Sequence, residues 1–201
     1  MFYRRKIILA LIQLFEGELE KIRLQKLLFL FAQKQENKAY DFIPYRFGCY
    51  SYSANADLTA MTRKGILSET QSHFISLDKT DYLKSLKGTD LKNLVEIKKM
   101  YGAMSANSLM KHTYINFPYW ATKSEKAEVI LTKTELQKVK TSIPVNNKTV
   151  LFTIGYEGIS LEEYLNRLLK NDVKILVDVR NNPLSMKYGF SKSLLKRYCE
   201  S

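Results

Sequence analysis

Apolar residues recur at helical spacing from the start of the chain. Ile8, Leu11, Ile12 and Phe15 predict a helix over residues 3–16, and Leu24, Leu27, Leu28 and Phe31 predict a second over 24–35. Gly17 stands where the first should stop. After an aromatic loop over 40–50, Ala54, Leu58 and Met61 mark the inner face of a third helix over 51–64, with Gly65 just past its end. Two short apolar runs, 66–69 and 73–77, flank a polar turn and predict a hairpin. Three helices followed by a hairpin is the order of a winged helix. Helical patterns over 91–101, 105–111 and 132–140 set that unit in a larger, mostly α domain.

The period changes after a polar stretch at 141–149, which holds Pro144 and the Asn146-Asn147 pair and reads as a linker. Residues 150–154 form an apolar run fit for a buried strand, 155–158 a glycine-bounded turn, and 160–169 an amphipathic helix. Ser160 and Glu163 have the spacing of a capping box at that helix start. Residues 175–179 predict a second strand, and the crossover between the two is long enough to make them parallel. A last helix begins at Ser191. Two strands do not make a stable α/β sheet, because both faces of a parallel sheet need covering. The sequence therefore reads as truncated, or as one whose missing strands come from elsewhere.

The fold class read from these patterns is α+β. A mostly α N-terminal domain containing a winged-helix-like unit (1–140) is followed by a linker (141–149) and a partial Rossmann-like α/β segment (150–201).

Composition adds a partner class. The 201 residues carry a formal charge of +12, of which residues 1–148 hold +10, and this points to nucleic acid, nucleotide phosphates or an acidic protein surface. No apolar run has the length of a membrane span, so no membrane partner is expected and a cytoplasmic location is the reading. Cys49 and Cys199 lie far apart with only His73 and His112 to help, which speaks against a disulfide scaffold and a zinc site; no metal site is assigned and the cofactor, if any, is unknown.

Candidate chemistry collects in two places. In the C-terminal segment, the strand ends and helix starts of a parallel sheet would meet at one edge, bringing 155–160 and 178–185 together. Gly155 and Gly158 let the backbone approach a ligand, Ser160 caps a helix that presents free N–H groups, Arg180 can clamp a phosphate or carboxylate, and Ser185 completes an anion site. Asp178 and Glu157 are the carboxylates able to act as general base there, and Tyr156 could stack on a base or position a proton. The alternative is that Asp178 and Arg180 simply pair and the glycines only turn the chain.

In the N-terminal domain, Arg4, Arg5, Lys6, Lys21, Arg23 and Lys26 form a concentrated basic set that either contacts phosphates without sequence preference or is simply the solvated face of its helices. Arg63 and Lys64 lie at the end of the third helix. Asp57 in the middle of that helix makes it a poor reader of bases. The aromatics Tyr40, Phe42, Tyr45, Phe47, Tyr50 and Tyr52 either stack on bases or serve as core.

Two resemblances sharpen this picture. The residues Thr153-Ile154-Gly155-Tyr156-Glu157-Gly158, Leu176-Val177-Asp178-Val179-Arg180, Asn182-Pro183, Ser185 and Gly189-Phe190-Ser191-Lys192 resemble the start of the family called domain of unknown function 488. The resemblance implies a small Rossmann-like domain and no settled reaction. The residues Leu24-Gln25-Lys26-Leu27-Leu28-Phe29, Tyr45-Arg46-Phe47-Gly48-Cys49-Tyr50-Ser51, Tyr101-Gly102-Ala103-Met104-Ser105-Ala106-Asn107-Ser108-Leu109, Thr113 and Pro118-Tyr119-Trp120 resemble the Panacea domain of SocA-type antitoxins over about residues 5–130. That resemblance implies a module that binds and neutralises toxins.

The expectation is a bacterial protein directed at nucleic acid or nucleotide, combining a basic binding module with a Rossmann-like domain, in phage defence or toxin control. Two alternatives stand beside it: an antitoxin-like protein-interaction module without catalysis, and a ligand-sensing winged-helix regulator of transcription. Whether the protein is an enzyme stays open.

Overall fold

The computed structural model describes residues 1–200. The chain divides into two compact units, Met1–Ser142 and Ile143–Ser201, and the division falls inside the polar stretch expected to be a linker.

In the first unit, α1 (Tyr3–Leu14) and α2 (Lys21–Ala32) bury nearly continuous apolar runs, including Ile7 to Ile12 and Leu27 to Ala32. Helices apolar on most sides belong at the centre of a domain, and these two form the axis of its core. Between them, β1 (Glu18–Glu20) adds a short strand that the sequence pattern did not reveal. After α3 (Tyr52–Arg63), the predicted hairpin forms as β4 (Leu67–Glu69) and β5 (His73–Ser76). The three strands make an antiparallel sheet in the order β1-β5-β4, with Leu19 opposite Phe74. The strand after α1 and the hairpin after α3 thus share one small sheet.

The aromatic loop holds a second hairpin that sequence reading missed. β2 (Ile43–Tyr45) pairs with β3 (Gly48–Tyr50) across the two-residue connection Arg46-Phe47. Gly48 closes it at φ +84, against the ring of Tyr114, where any Cβ would collide. Its aromatics split by position. Tyr40, Phe42 and Tyr52 are buried, Phe47 is exposed, and Tyr45 and Tyr50 lie between, with ring centroids 5.1 Å apart. Phe29 of α2 meets Phe42, Phe117 and Trp120 edge-on at 5.1–5.4 Å, which binds the later part of the unit to the core around α1 and α2.

Those later helices are α4 (Gly88–Tyr101), α5 (Ala106–Asn116), α6 (Ala127–Ile130) and α7 (Lys133–Thr141). A capping box between Thr132 and Glu135 fixes the start of α7.

The second unit contains α8 (Leu161–Lys170) and α9 (Lys192–Cys199). Ser160 caps α8 as expected, its Oγ accepting from the Glu163 N–H at 3.0 Å, while the Glu163 carboxylate meets Arg167 at 2.5 Å. The expected β-α-β unit requires correction. Neither 150–154 nor 175–179 belongs to a strand, and Leu151, Ile175, Val177 and Val179 are exposed. The reason is the one that sheet physics supplies: apolar runs on both sides of one crossover have no neighbouring strands to complete a ladder and no layers to cover its faces. Gly189 (φ +85) is pressed against the Leu161 side chain, and Phe190, Leu161, Tyr164 and Leu165 form the buried centre of the unit. Taken whole, the chain is mixed helix and strand with small sheets and is mostly helical. Among the described residues no helix is long and apolar enough to cross a membrane.

Candidate functional site

The N-terminal basic set is largely occupied from within. Asp57 of α3 is buried, 2% exposed, and faces the start of α1 rather than solvent. Its Oδ2 accepts from Arg4 Nε at 2.6 Å and its Oδ1 from Arg5 Nε at 2.7 Å, while the Tyr40 hydroxyl donates to Oδ2 at 3.0 Å. Burial and the Asp57 charge push the Tyr40 hydroxyl far up, so it remains a donor. Arg23 donates to the Gly102 carbonyl at 2.7 Å, and its Nε is buried without a hydrogen-bond partner among the described residues. Lys26 is buried and donates from Nζ to the Cys49 carbonyl at 2.7 Å. Lys6 is partly exposed, and Arg63 and Lys64 are exposed. Lys21 pairs with Glu69 at 2.6 Å, so of the cations singled out by sequence Lys6, Arg63 and Lys64 are the ones turned toward solvent without a protein acceptor among the described residues.

The inward turn of Asp57 changes the character of α3. Ala54, Asp57, Leu58 and Met61 lie on its buried side, one helical stripe. Asn55, Thr59 and Arg63, spaced four apart, form a polar stripe on the opposite side, with Lys64 beyond it. The carboxylate that spoiled this helix as a base reader is therefore absent from its outer face.

In the second unit, the structure brings together Tyr156, Asp178 and Arg180 and adds Lys187, which the sequence reading did not single out, and Phe190, which it quoted as a motif residue without a site role. Arg180 grips Asp178 in a fork, Nε to Oδ1 at 2.7 Å and Nη2 to Oδ2 at 2.6 Å, and the Arg180 backbone N–H adds a bond to Oδ1 at 3.2 Å. Nη1 donates to the Phe190 carbonyl at 2.7 Å. The hydrogen bonds from Arg180 hold the Asp178 carboxyl down to about 2, and the same pairing pushes the guanidinium further up. Tyr156 stacks on Phe190 with centroids 4.9 Å apart and an interplanar angle of 23°; the Arg180 guanidinium lies 5.2 Å from the Tyr156 centroid. Lys187 Nζ donates to the Tyr156 carbonyl and sits 5.2 Å from the Phe190 centroid.

The other members of the expected edge stay apart from this cluster or serve the backbone. Gly155 and Glu157 are exposed, Gly158 turns the chain at φ +73, Ser160 caps α8, and Ser185 accepts from the Lys187 N–H at 3.2 Å. The pairing of Asp178 with Arg180 is the simpler of the two readings that the sequence offered. A carboxylate clasped in this way is a poor base, and a guanidinium so engaged is not an open anion clamp. The signal for Lys187 was its place among the aromatics Tyr156, Tyr188 and Phe190, which only tertiary packing converts into a cluster.

The sequence model of the family described as Domain of unknown function DUF488 matches residues 160–201. This stretch is similar to that family. It covers the Ser160 cap, the Asp178–Arg180 fork, Lys187 and Phe190, and it begins after the turn at 155–158. No curated protein matches the chain.

Proposed function

We propose that the N-terminal unit is a nucleic-acid-binding module that presents α3 to a duplex, and that residues 143–200 add a small helical segment in which Asp178 and Arg180 are paired with each other. The observation that supports this reading is the outer face of α3. Asn55 carries the amide suited to a base edge, and Arg63 and Lys64 at the helix end are placed to hold phosphates. Asp57, the helix's one carboxylate, is buried and neutralised by Arg4 and Arg5. A strongly basic chain supplies the long-range attraction that such binding needs.

The test is binding of the chain to double- and single-stranded DNA and RNA across a salt series. The expected result is duplex binding whose log–log salt slope becomes shallower by about 0.9 in Arg63→Ala and again in Lys64→Ala, since each variant frees one phosphate. Arg4→Ala should leave the slope unchanged. Absence of binding at low salt, or a slope indifferent to Arg63 and Lys64, overturns the reading.

A second reading is supported by a different observation. Arg4, Arg5, Arg23 and Lys26 already hold internal acceptors. The turn of the wing carries Thr70, Gln71 and Ser72, with Glu69 beside it, and offers no cation to a phosphate backbone. A protein partner, a toxin if the resemblance of residues 5–130 to the Panacea antitoxin domain holds and acidic if the chain's net charge selects it, then takes the place of nucleic acid, with a role in toxin control or phage defence. Capture of an acidic protein that persists at high salt, without nucleic-acid binding, supports this second reading.

A further inference from the structure

A cavity of about 480 Å³ opens in the N-terminal unit between the start of α2, the β2–β3 hairpin, α3 and the wing. That volume lies in the range of sites for small organic ligands. Its walls carry Tyr45, Tyr50, Phe74 and Leu58, and polar and charged residues share them, the carboxylates Glu20 and Glu69 among them. One buried cation lines it as well. Lys26 is 2% exposed, and its ammonium, with three donors, gives one to the Cys49 carbonyl at 2.7 Å and has the Cys49 thiol beside it.

No carboxylate lies within ion-pair distance of Lys26 among the described residues. Glu69, also at the cavity, is held by Lys21 at 2.6 Å, and Arg46 is 61% exposed and faces Glu125. Burial pushes the Lys26 ammonium down, and the neighbouring Cys49 side chain only partly opposes that shift. A desolvated, under-satisfied ammonium is costly by itself, and an anion delivered to it gains a charge-assisted bond in a low-dielectric setting. One interior cation matches a single negative charge, not a phosphate dianion, and the aromatic walls match an apolar or planar stem.

We propose that this cavity binds a monocarboxylate carried on an aromatic or branched apolar stem, with the carboxylate on Lys26 Nζ and the stem between Tyr45, Tyr50 and Phe74. The inference goes beyond the nucleic-acid reading and does not rest on it. The carboxylate can come from a free organic acid or from the C-terminal end of a polypeptide.

The experiment is an NMR titration of the full chain, without nucleic acid, so that failure of either proposal leaves the other standing. The probes are phenylacetate and benzoate with the neutral phenylacetamide and benzamide as twins, and acetyl-Ala-Ala-Phe with a free carboxylate against its C-terminal amide. The expected result is saturable shifts of the Cys49, Tyr50 and Ser51 amides with the acids and not with the amides. Lys26→Met, which keeps the length of the side chain and removes its charge, should weaken acid binding by roughly tenfold or more. A peptide acid that binds more tightly than phenylacetate assigns the site to a polypeptide end, and the reverse assigns it to a small acid. Acids and amides shifting the same residues alike, no shift at the cavity, or undiminished binding by a folded Lys26→Met overturns the proposal. If that variant does not fold, the contrast between acid and amide on the unaltered chain decides.

Discussion

Arg5 of α1 and Asp57 of α3, 52 positions apart in sequence, meet at 2.7 Å, and Asp57 is sealed from solvent while Arg5 keeps 17% of its side-chain surface. With Arg4 on the other oxygen, this pairing fixes the start of α1 to α3 and turns a carboxylate away from the helix's outer face.

Removing the carboxylate should unfold the unit more readily. Asp57→Asn is expected to cost about 2–4 kcal/mol, less than a fully buried pair because Arg4 remains half in water. Arg5→Ala should cost more than Arg4→Ala, since Arg5 is the better buried of the two. Urea unfolding midpoints measure all three, and equal midpoints for the two arginine variants would contradict the ordering.

Asn55→Ala should separate recognition from attraction. It is expected to weaken preference among duplex sequences while leaving the salt slope unchanged, because an amide touching a base edge releases no counterion. Competition binding against a panel of duplexes reads this, and a changed slope with unchanged preference would reverse the assignment.

The fork between Asp178 and Arg180 sets a pH dependence. A carboxyl whose value in the folded chain is lowered to about 2 contributes stability fully above its unfolded value near 4, and loses that contribution as pH falls toward 2. Carbon-detected NMR titration should find the Asp178 midpoint near 2, and Arg180→Ala should raise it toward the ordinary carboxylate range. An unmoved midpoint in the variant would remove Arg180 as the cause.

Gly189→Ala should destabilise the second unit by about 2 kcal/mol, through the positive φ and through the contact of any Cβ with Leu161. Its effect should be confined to residues 143–200, which amide hydrogen exchange resolves. The same experiment should leave the core around α1 and α2 protected as before.

Much of the first unit was legible because its signals are local. The spacing of Leu24, Leu27, Leu28 and Phe31 states a helix within a few residues, and the two runs about the turn at 70–72 state a hairpin. The hairpin at 43–50 was hidden by its brevity and by Pro44, which reads against a strand. The strands expected at 150–154 and 175–179 illustrate the opposite failure. Their apolar runs were real, but a strand is completed by partners that its own residues do not specify.

The sequence by itself determined most of the helices, the hairpin after α3 and the excess of positive charge, all of which follow from periodicity, turn chemistry and composition along short stretches. Only the tertiary structure decided what those charges face. Arg5 looked available to phosphate until α3 brought Asp57 to it, Lys26 looked like surface until the β2–β3 hairpin covered it, and Arg180 looked like a clamp until Asp178 filled its fork. The physical reason is that a charge is neutralised by whatever packing puts within about 4 Å of it, and long-range folding contacts make that choice.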